Sequence, residues 1–346
     1  MSPPDMPEAT GTRVPFEFSG RAGEYFRIWI VNVFLTVITL GIYSAWAKVR
    51  RLRYLYGSTT LQGAAFEYLA EPVAILKGRL LAVGFFALYS VAGQVNPILQ
   101  TPLALIFLVF LPWIVIRARK FALRNTAYRN IRLDFDARKR EAAAVYIGWP
   151  ILIPFSMMLI YPFYVWRRAQ FLAARSRYGA QGFAFDARPG AYYLVYLKFT
   201  ALFFVVVAAG TAGFVYGLSA SEGGTRPALV LLALLATLFA LLATFSYKHV
   251  RVANLTWSSL ELGGLRTCCD LAAGRMYWIA LSNLFAIVLS AGLLIPWATI
   301  RMMRYRVSCL SLAGAENLDA LVGAQSAQIG AAGEEIGELL GIDIGL

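Results

Sequence analysis

The sequence predicts an all-α polytopic membrane protein, made of tandem internal repeats of membrane helices or hairpins with small cytoplasmic β-like segments between them. Three observations predict it. The 346 residues are 59% hydrophobic and only 15% charged, whereas about a quarter of a soluble domain is charged. Seven apolar segments follow one another along the chain. The basic residues gather at particular ends of those segments, which excludes a uniformly basic nucleic-acid surface as the reason for the net charge of +13.

The elements follow in order. Residues 1–15 lack the basic and apolar regions of a signal peptide and read as a disordered lead-in. The apolar segments run over 26–46, 79–95, 102–116, 144–166, 192–218, 227–247 and 276–298. A straight span needs about 20 apolar residues, and 102–116 reaches that length by starting near Val95. Regions 47–79, 117–140, 167–188, 248–275 and 301–306 hold 27 of the 32 Lys and Arg residues, so the positive-inside rule places all five in the cytoplasm. Segment 144–166 then has basic clusters at both ends and three prolines, Pro150, Pro154 and Pro162. A re-entrant hairpin resolves the conflict, a kinked single span being the alternative. Four full spans are expected (79–95, 96–116, 192–218 and 227–247), with 26–46, 144–166 and 276–298 either spanning or re-entering.

The chain echoes itself. A shift of 117 residues brings FEFSG (16–20) onto LDFDA (133–137), and Phe66, Tyr68 and Pro72 onto Phe183, Phe185 and Pro189. A shift of 251 aligns Asn32, Trp46, Arg50, Arg53 and Tyr54 with Asn283, Trp297, Arg301, Arg304 and Tyr305. The motif W-x3-R-x2-[RK]-[YF] also occurs as Trp113, Arg117, Lys120 and Phe121, and in weaker form around Arg167 and Arg251. Parallel units are expected over 16–134 and 133–263, with a partial third over 264–314 and an acidic cytoplasmic tail over 315–346. On a helix the motif's positions share one stripe. Its aromatic belongs at headgroup depth and its cations within reach of lipid phosphate. Trp46, Arg50, Arg53, Tyr54, Trp113, Arg117, Lys120, Arg167, Trp297, Arg301, Arg304 and Tyr305 are therefore lipid or interface candidates. Stretches such as TTLQGAAFEYLA and YGAQGFAFDARPG alternate like strands and are read either as a small sheet or as irregular surface loops.

No phosphate-binding loop, HExxH, GxSxG or pair of catalytic carboxylates stands in a plausible context. Cys268, Cys269, Cys309 and the single His249 make no metal-ligand pattern. No enzyme and no cofactor are expected. Asn32 and Asn283 are the intramembrane polar candidates, as interhelical hydrogen-bonding groups or as the lining of a path. The tail carries six acidic residues and no basic one. It reads as a solubilising disordered segment, the alternative being a helix docked on the basic face.

The runs FEFSGRAGEYFRIWIVNVFLTVITLGIYSAWAKVRRLRYLYGSTTLQGAAFEY and LKGRL resemble the YjgN-like family of bacterial inner-membrane proteins, closely over 16–80 and more loosely through the repeats. The resemblance implies location in the bacterial inner membrane and a membrane architecture, and it transfers no catalytic residue. Two functions are carried forward. One is binding or transport of a small solute or lipid at the interface of the repeats. The other is a structural or assembly protein, anchored to anionic headgroups by its basic motifs and binding a cytoplasmic partner. A homo-oligomer fits either.

Overall fold

Five times along the chain a β-strand leads into a pair of antiparallel helices, and a second strand follows the pair. A computed structural model describes residues 12–219 and 226–327 of this arrangement. The five sets are β1 (Arg13–Phe18), α1 (Ala22–Ile38), α2 (Ser44–Gly57), β2 (Thr59–Leu61); then β3 (Ala64–Tyr68), α3 (Pro72–Val95), α4 (Gln100–Arg124), β4 (Thr126–Tyr128). The third has β5 (Ile131–Phe135), α5 (Lys139–Ala143), a π-turn, α6 (Trp149–Phe155), α7 (Tyr161–Ala174) and β6 (Ser176–Tyr178). The fourth has the broken strand β7 (Gln181–Gly182) and β8 (Ala184–Phe185), then α8 (Pro189–Ser219), α9 (Arg226–Ser258) and β9 (Leu260–Leu262). The fifth has β10 (Leu265–Cys269), α10 (Ala273–Leu289), α11 (Ile295–Ser308) and β11 (Leu310–Ala313).

The strands flanking each helix pair are antiparallel partners, with Phe16 opposite Leu61, Phe66 opposite Tyr128, Leu133 opposite Tyr178, Phe185 opposite Leu260 and Thr267 opposite Leu312. Successive sets are stitched by two-residue hairpin turns. Gln62–Gly63, Arg129–Asn130 and Gly263–Gly264 each have two positive φ values, the type I′ geometry that matches strand twist. β1 also pairs with β11. The sheet order runs from β7 through β1 and β11 to β8, and one residue, Phe183, joins those two ends. The eleven strands therefore follow one another around a ring whose two ends are joined through the chain itself. An all-α label misses this ring, because each strand is too short to be distinguished from a loop without its partner.

Leu61, Tyr128, Ile131, Tyr178, Leu265 and Leu312 fill the ring, with Phe16, Phe66 and Leu133 packed on them. Phe66 lies 4.8 Å from Tyr128 between ring centroids. Two tyrosines tie neighbouring sets together: Tyr128 Oη donates to the Leu61 carbonyl (2.8 Å) and Tyr178 Oη to the Tyr128 carbonyl (3.0 Å). The first strand starts at Arg13, inside the stretch expected as a lead-in; residues 1–11 lie outside the described residues. Within the acidic tail, the described residues are helical, the form carried as the alternative to disorder. Residues 318–327 form a helix, α12, whose Leu318, Leu321 and Val322 pack into the ring core. Its apolar period, rather than its charge, decides this. The remaining tail, 328–346, lies outside the described residues.

The helix pairs are of two kinds. α3, α4, α8 and α9 are long and apolar enough to cross a membrane; at 1.5 Å per residue α3 alone reaches roughly 36 Å, against about 30 Å of hydrocarbon. Their outward side chains, such as Phe86, Val109, Phe204 and Leu232, are more than half exposed, apolar surface that water does not tolerate over such an area. The other three pairs are shorter and double back. Segment 26–46 folds at Thr39–Tyr43, 144–166 at Ser156–Ile160 and 276–298 at Ser290–Leu294. In each, a hydroxyl closes the turn. Thr39 Oγ1 accepts from the Tyr43 N–H (2.9 Å), Ser156 Oγ from that of Ile160 (3.2 Å) and Ser290 Oγ from that of Leu294 (3.0 Å). Pro162 falls in the first turn of α7, where a missing N–H costs nothing, and Pro150 follows directly on the π-turn that leads into α6. The hairpin expected for 144–166 is thus the form all three segments take. Their tips are apolar and bare: Leu40 is 94% exposed, Met157 87% and Leu289 85%.

Candidate functional site

The second helix of every pair carries one arginine at the same place. Arg50, Arg117, Arg167, Arg251 and Arg301 each stand nine residues before the first residue of the following strand. At 1.5 Å per residue this is about 13 Å along the helix, so the five guanidinium groups form a belt at one distance from the ring. An aromatic lies one turn further out: Trp46, Trp113, Phe163, Tyr247 and Trp297. Three arginines lie over their own aromatic, Arg117 on Trp113 (5.3 Å), Arg251 on Tyr247 (5.5 Å) and Arg301 on Trp297 (5.1 Å). Arg50 instead donates to Tyr43 Oη (3.1 Å), and Arg167 bonds to Gln170.

The motif's later positions bond to neighbouring backbone. Arg53 donates to the carbonyls of Tyr68 (3.3 Å) and Ala70 (3.4 Å), and Arg304 to that of Gly20 (3.0 Å). Each pins the chain just after the entering strand of the next set. Asn254, at the matching place in α9, does the same to Leu271 (2.9 Å). Tyr54 Oη accepts from the Arg21 N–H (2.8 Å) and donates to the Arg21 carbonyl (3.0 Å). Tyr305 repeats both bonds on Ala272 (2.8 and 3.1 Å), so each clamps the residue that precedes its own pair's first helix. Phe121 packs in the cluster around Ala45 and Val49. Lys120 lies half-exposed on α4. One stripe on the sequence therefore separates into the belt arginine and residues that clamp neighbouring backbone.

Asn32 and Asn283 are buried, 7% and 6% exposed. Asn283 Nδ2 donates to the Ala298 carbonyl (3.2 Å), and its Oδ1 accepts from Arg301 Nη1 (3.1 Å). Asn32 Oδ1 has no protein partner, because Arg50, the counterpart of Arg301, reaches Tyr43 instead. A cationic feature absent from the sequence reading is Lys248 of α9. Its ammonium lies 4.5 Å from the Phe199 ring centroid and 4.9 Å from that of Phe245. Residues Phe199 and Lys248 are 49 apart, so no local pattern reveals the pairing.

Around the ring's open turns, the four hairpin tips converge on α12 and the residues before it. Gln62 Nε2 donates to the Ala315 carbonyl (3.1 Å), and Arg129 pairs with Asp319. The Ala180 N–H donates to Gln325 Oε1 (2.7 Å). A Cβ at Gly263 would stand 2.4 Å from Leu321 Cδ1, so a side chain at this turn would have to displace the end of Leu321. At the ring's outer rim Asp134 takes two bonds from Arg124 (2.8 and 3.2 Å). Burial raises its pKa, but the Arg124 bonds and the Phe135 N–H outweigh it and hold the carboxyl below its usual range. Cys269 is buried, which pushes its thiol up to about 11. Among the described residues no three His, Cys, Asp or Glu side chains converge to hold a metal.

Four membrane-length helices around which lipid-compatible surface is exposed define a helical integral membrane protein. Residues 13–339 match the family described as "Bacterial protein of unknown function (DUF898)", and the chain belongs to that family. It is similar to proteins named inner membrane protein YjgN, as the resemblance over residues 16–80 implied. One from Salmonella typhimurium is 28% identical over 144 residues, covering 41% of this chain and 36% of that protein. Those of Escherichia coli O157:H7 and K12 are each 31% identical over 147 residues, covering 42% of this chain and 37% of theirs. The chain thus matches little more than a third of the length of these relatives. No solved structure matches it.

Proposed function

We propose that this chain is an inner-membrane scaffold. Its arginine belt holds the strand ring against the anionic cytoplasmic surface of the bilayer, where the ring presents itself to a cytoplasmic partner. The single observation that carries the reading is the constant offset of Arg50, Arg117, Arg167, Arg251 and Arg301 from the ring. Five cations at one height, each beside an aromatic, match a planar headgroup layer, and each contributes about 1 kcal/mol near an anionic leaflet. The four long helices and the three apolar hairpin tips lie beyond the belt and enter the hydrocarbon, the hairpins re-entering without crossing. We infer further that the five strand–helix-pair–strand sets are copies of one unit. The 117-residue echo is two such units and the partial third is one. Inner-membrane location is carried over from the relatives' names. Solute passage between units is the second reading; of the side chains that suggested it, Asn32 and Asn283 are both buried, and Asn283 bonds within its own hairpin.

The test is retention of acidic lipid. Native mass spectrometry of the protein extracted from phosphatidylglycerol-containing membranes counts bound lipids, for the native chain and for a variant with Arg50, Arg117, Arg167 and Arg251 changed to Gln. The belt predicts loss of several bound acidic lipids with zwitterionic lipid unchanged. An unchanged acidic-lipid count defeats it.

A further inference from the structure

The fifth and first sets meet where α11 packs beside α1, at the seam that closes the ring. A cleft of about 300 Å³ lies there, lined by Arg21, Ala22, Trp297, Ile300, Arg301 and Arg304, at the lower end of the size range of small-ligand sites. We propose that this cleft is a binding site for the phosphate of an acidic phospholipid, distinct from the loose attraction of the belt.

Two of its arginines are held in place before any ligand arrives. Arg301 Nη1 donates to Ser282 Oγ (2.6 Å) and to Asn283 Oδ1 (3.1 Å), and the guanidinium plane lies over Trp297. Asn283 is itself buried and anchored on the Ala298 carbonyl. Those bonds use one nitrogen and leave Nε and Nη2 for an acceptor in the cleft. Arg304 is anchored through Nη2 on the Gly20 carbonyl. A guanidinium whose rotamer is already fixed loses little entropy on binding and presents a planar fork that fits phosphate oxygens. Arg21 supplies a third cation, 79% exposed and only 3.9 Å from Glu24. The start of α1 at Ala22 adds the positive end of a helix dipole. Three cations against one peripheral carboxylate select an anion.

The walls select a lipid. Trp297 and the buried Ile300 line the cleft, and the chain runs outward from Trp297 through exposed Ile295 to Leu294 and Leu293 of the preceding turn. A phosphate seated on the arginines therefore directs its acyl chains along an apolar track into the bilayer. Inorganic phosphate shares the cation contacts and gains nothing from that track. The hairpin α1–α2 shows what the seam adds. There Arg50 is free of Asn32 and rests on Tyr43, so its guanidinium is not locked in the same way.

This inference rests on the acidic-lipid reading above, and the test separates the two by using Arg21 and Arg304, which are outside the belt. Short-chain phosphatidylglycerol is titrated into the full chain in zwitterionic nanodiscs, with bound lipid counted by native mass spectrometry. Arg21→Gln, an exposed change that leaves the fold intact, and Arg304→Gln are each expected to weaken one tightly held lipid about tenfold, the loss of one charge-assisted contact. Arg117→Gln is expected to leave that lipid in place. Equal affinity in the native, Arg21→Gln and Arg304→Gln chains overturns the site, whatever the belt variant does. Displacement of the tight lipid by inorganic phosphate at equal concentration overturns the lipid assignment.

Discussion

Tyr128 and Tyr178 each send a hydroxyl to the carbonyl of the residue that ends the exiting strand of the set before its own. In a ring built from strands of two to six residues, such side-chain bonds replace ladder bonds the short strands cannot supply. Burial raises the Tyr178 pKa from 10.0 to about 12, with Tyr128 adding to the shift. The folded state therefore keeps a proton that the unfolded state releases first. Its contribution to stability is complete below pH 10 and is lost as pH rises from 10 towards 12. Removing the hydroxyl in Tyr178→Phe strands the Tyr128 carbonyl and costs about 1–3 kcal/mol. Thermal unfolding in detergent, measured from pH 8 to about 12, should show the native chain's advantage over Tyr178→Phe shrinking at the alkaline end. An advantage that stays constant across that range would mean that the buried phenol does not govern this response.

At the scale of elements, the three short hairpins share one turn, and it places residues at positive φ in equivalent positions. The second of these is Gly41 (+91°), Gly292 (+90°) and, in the third set, Met158 (+69°). A side chain there costs energy that glycine avoids. Met158→Gly is therefore expected to stabilise the chain by about 1 kcal/mol, read as a higher unfolding midpoint in detergent. An equal or lower midpoint would show that the 58%-exposed Met158 side chain contributes more in its lipid-facing setting than the backbone strain removes. The same hairpin shows how two kinds of signal differ in legibility. Its doubling back follows from prolines and from basic clusters at both ends, which are local. The hydroxyl that closes the turn is local as well, but a lone serine between apolar residues is too common a feature to be recognised.

At the scale of the molecule, all strands lie at one end of the helix pairs and all apolar tips at the other. This polarity predicts sidedness directly. In a variant without native cysteines, Asn130→Cys at a ring turn is expected to react with an impermeant thiol reagent from the cytoplasm only. Asn96→Cys, between α3 and α4, should react from the opposite side only. Met157→Cys at a hairpin tip should resist the reagent from both. Labelling of Met157→Cys from the side opposite Asn130 would require α6 and α7 to cross the bilayer.

Hydropathy was sufficient to separate four membrane-length helices from three shorter segments, because it is a property of contiguous residues. The arginine of the belt was equally visible, since a helical stripe at fixed spacing is a local pattern. The partition within the motif was not. Arg50 faces outward while Arg53 clamps Tyr68 and Ala70, a difference set by the neighbouring set of elements rather than by residue type. The ring itself and the docking of α12 were decided only in three dimensions. Strands such as Thr59–Leu61 and Thr126–Tyr128 are too short to declare themselves and gain stability only from ladder partners on both sides, in a ring that closes only where the distant β1 and β11 pair. Residues 318–327 fold because Leu318, Leu321 and Val322 find an apolar ring to fill, and that ring exists only after β1 and β11 have met.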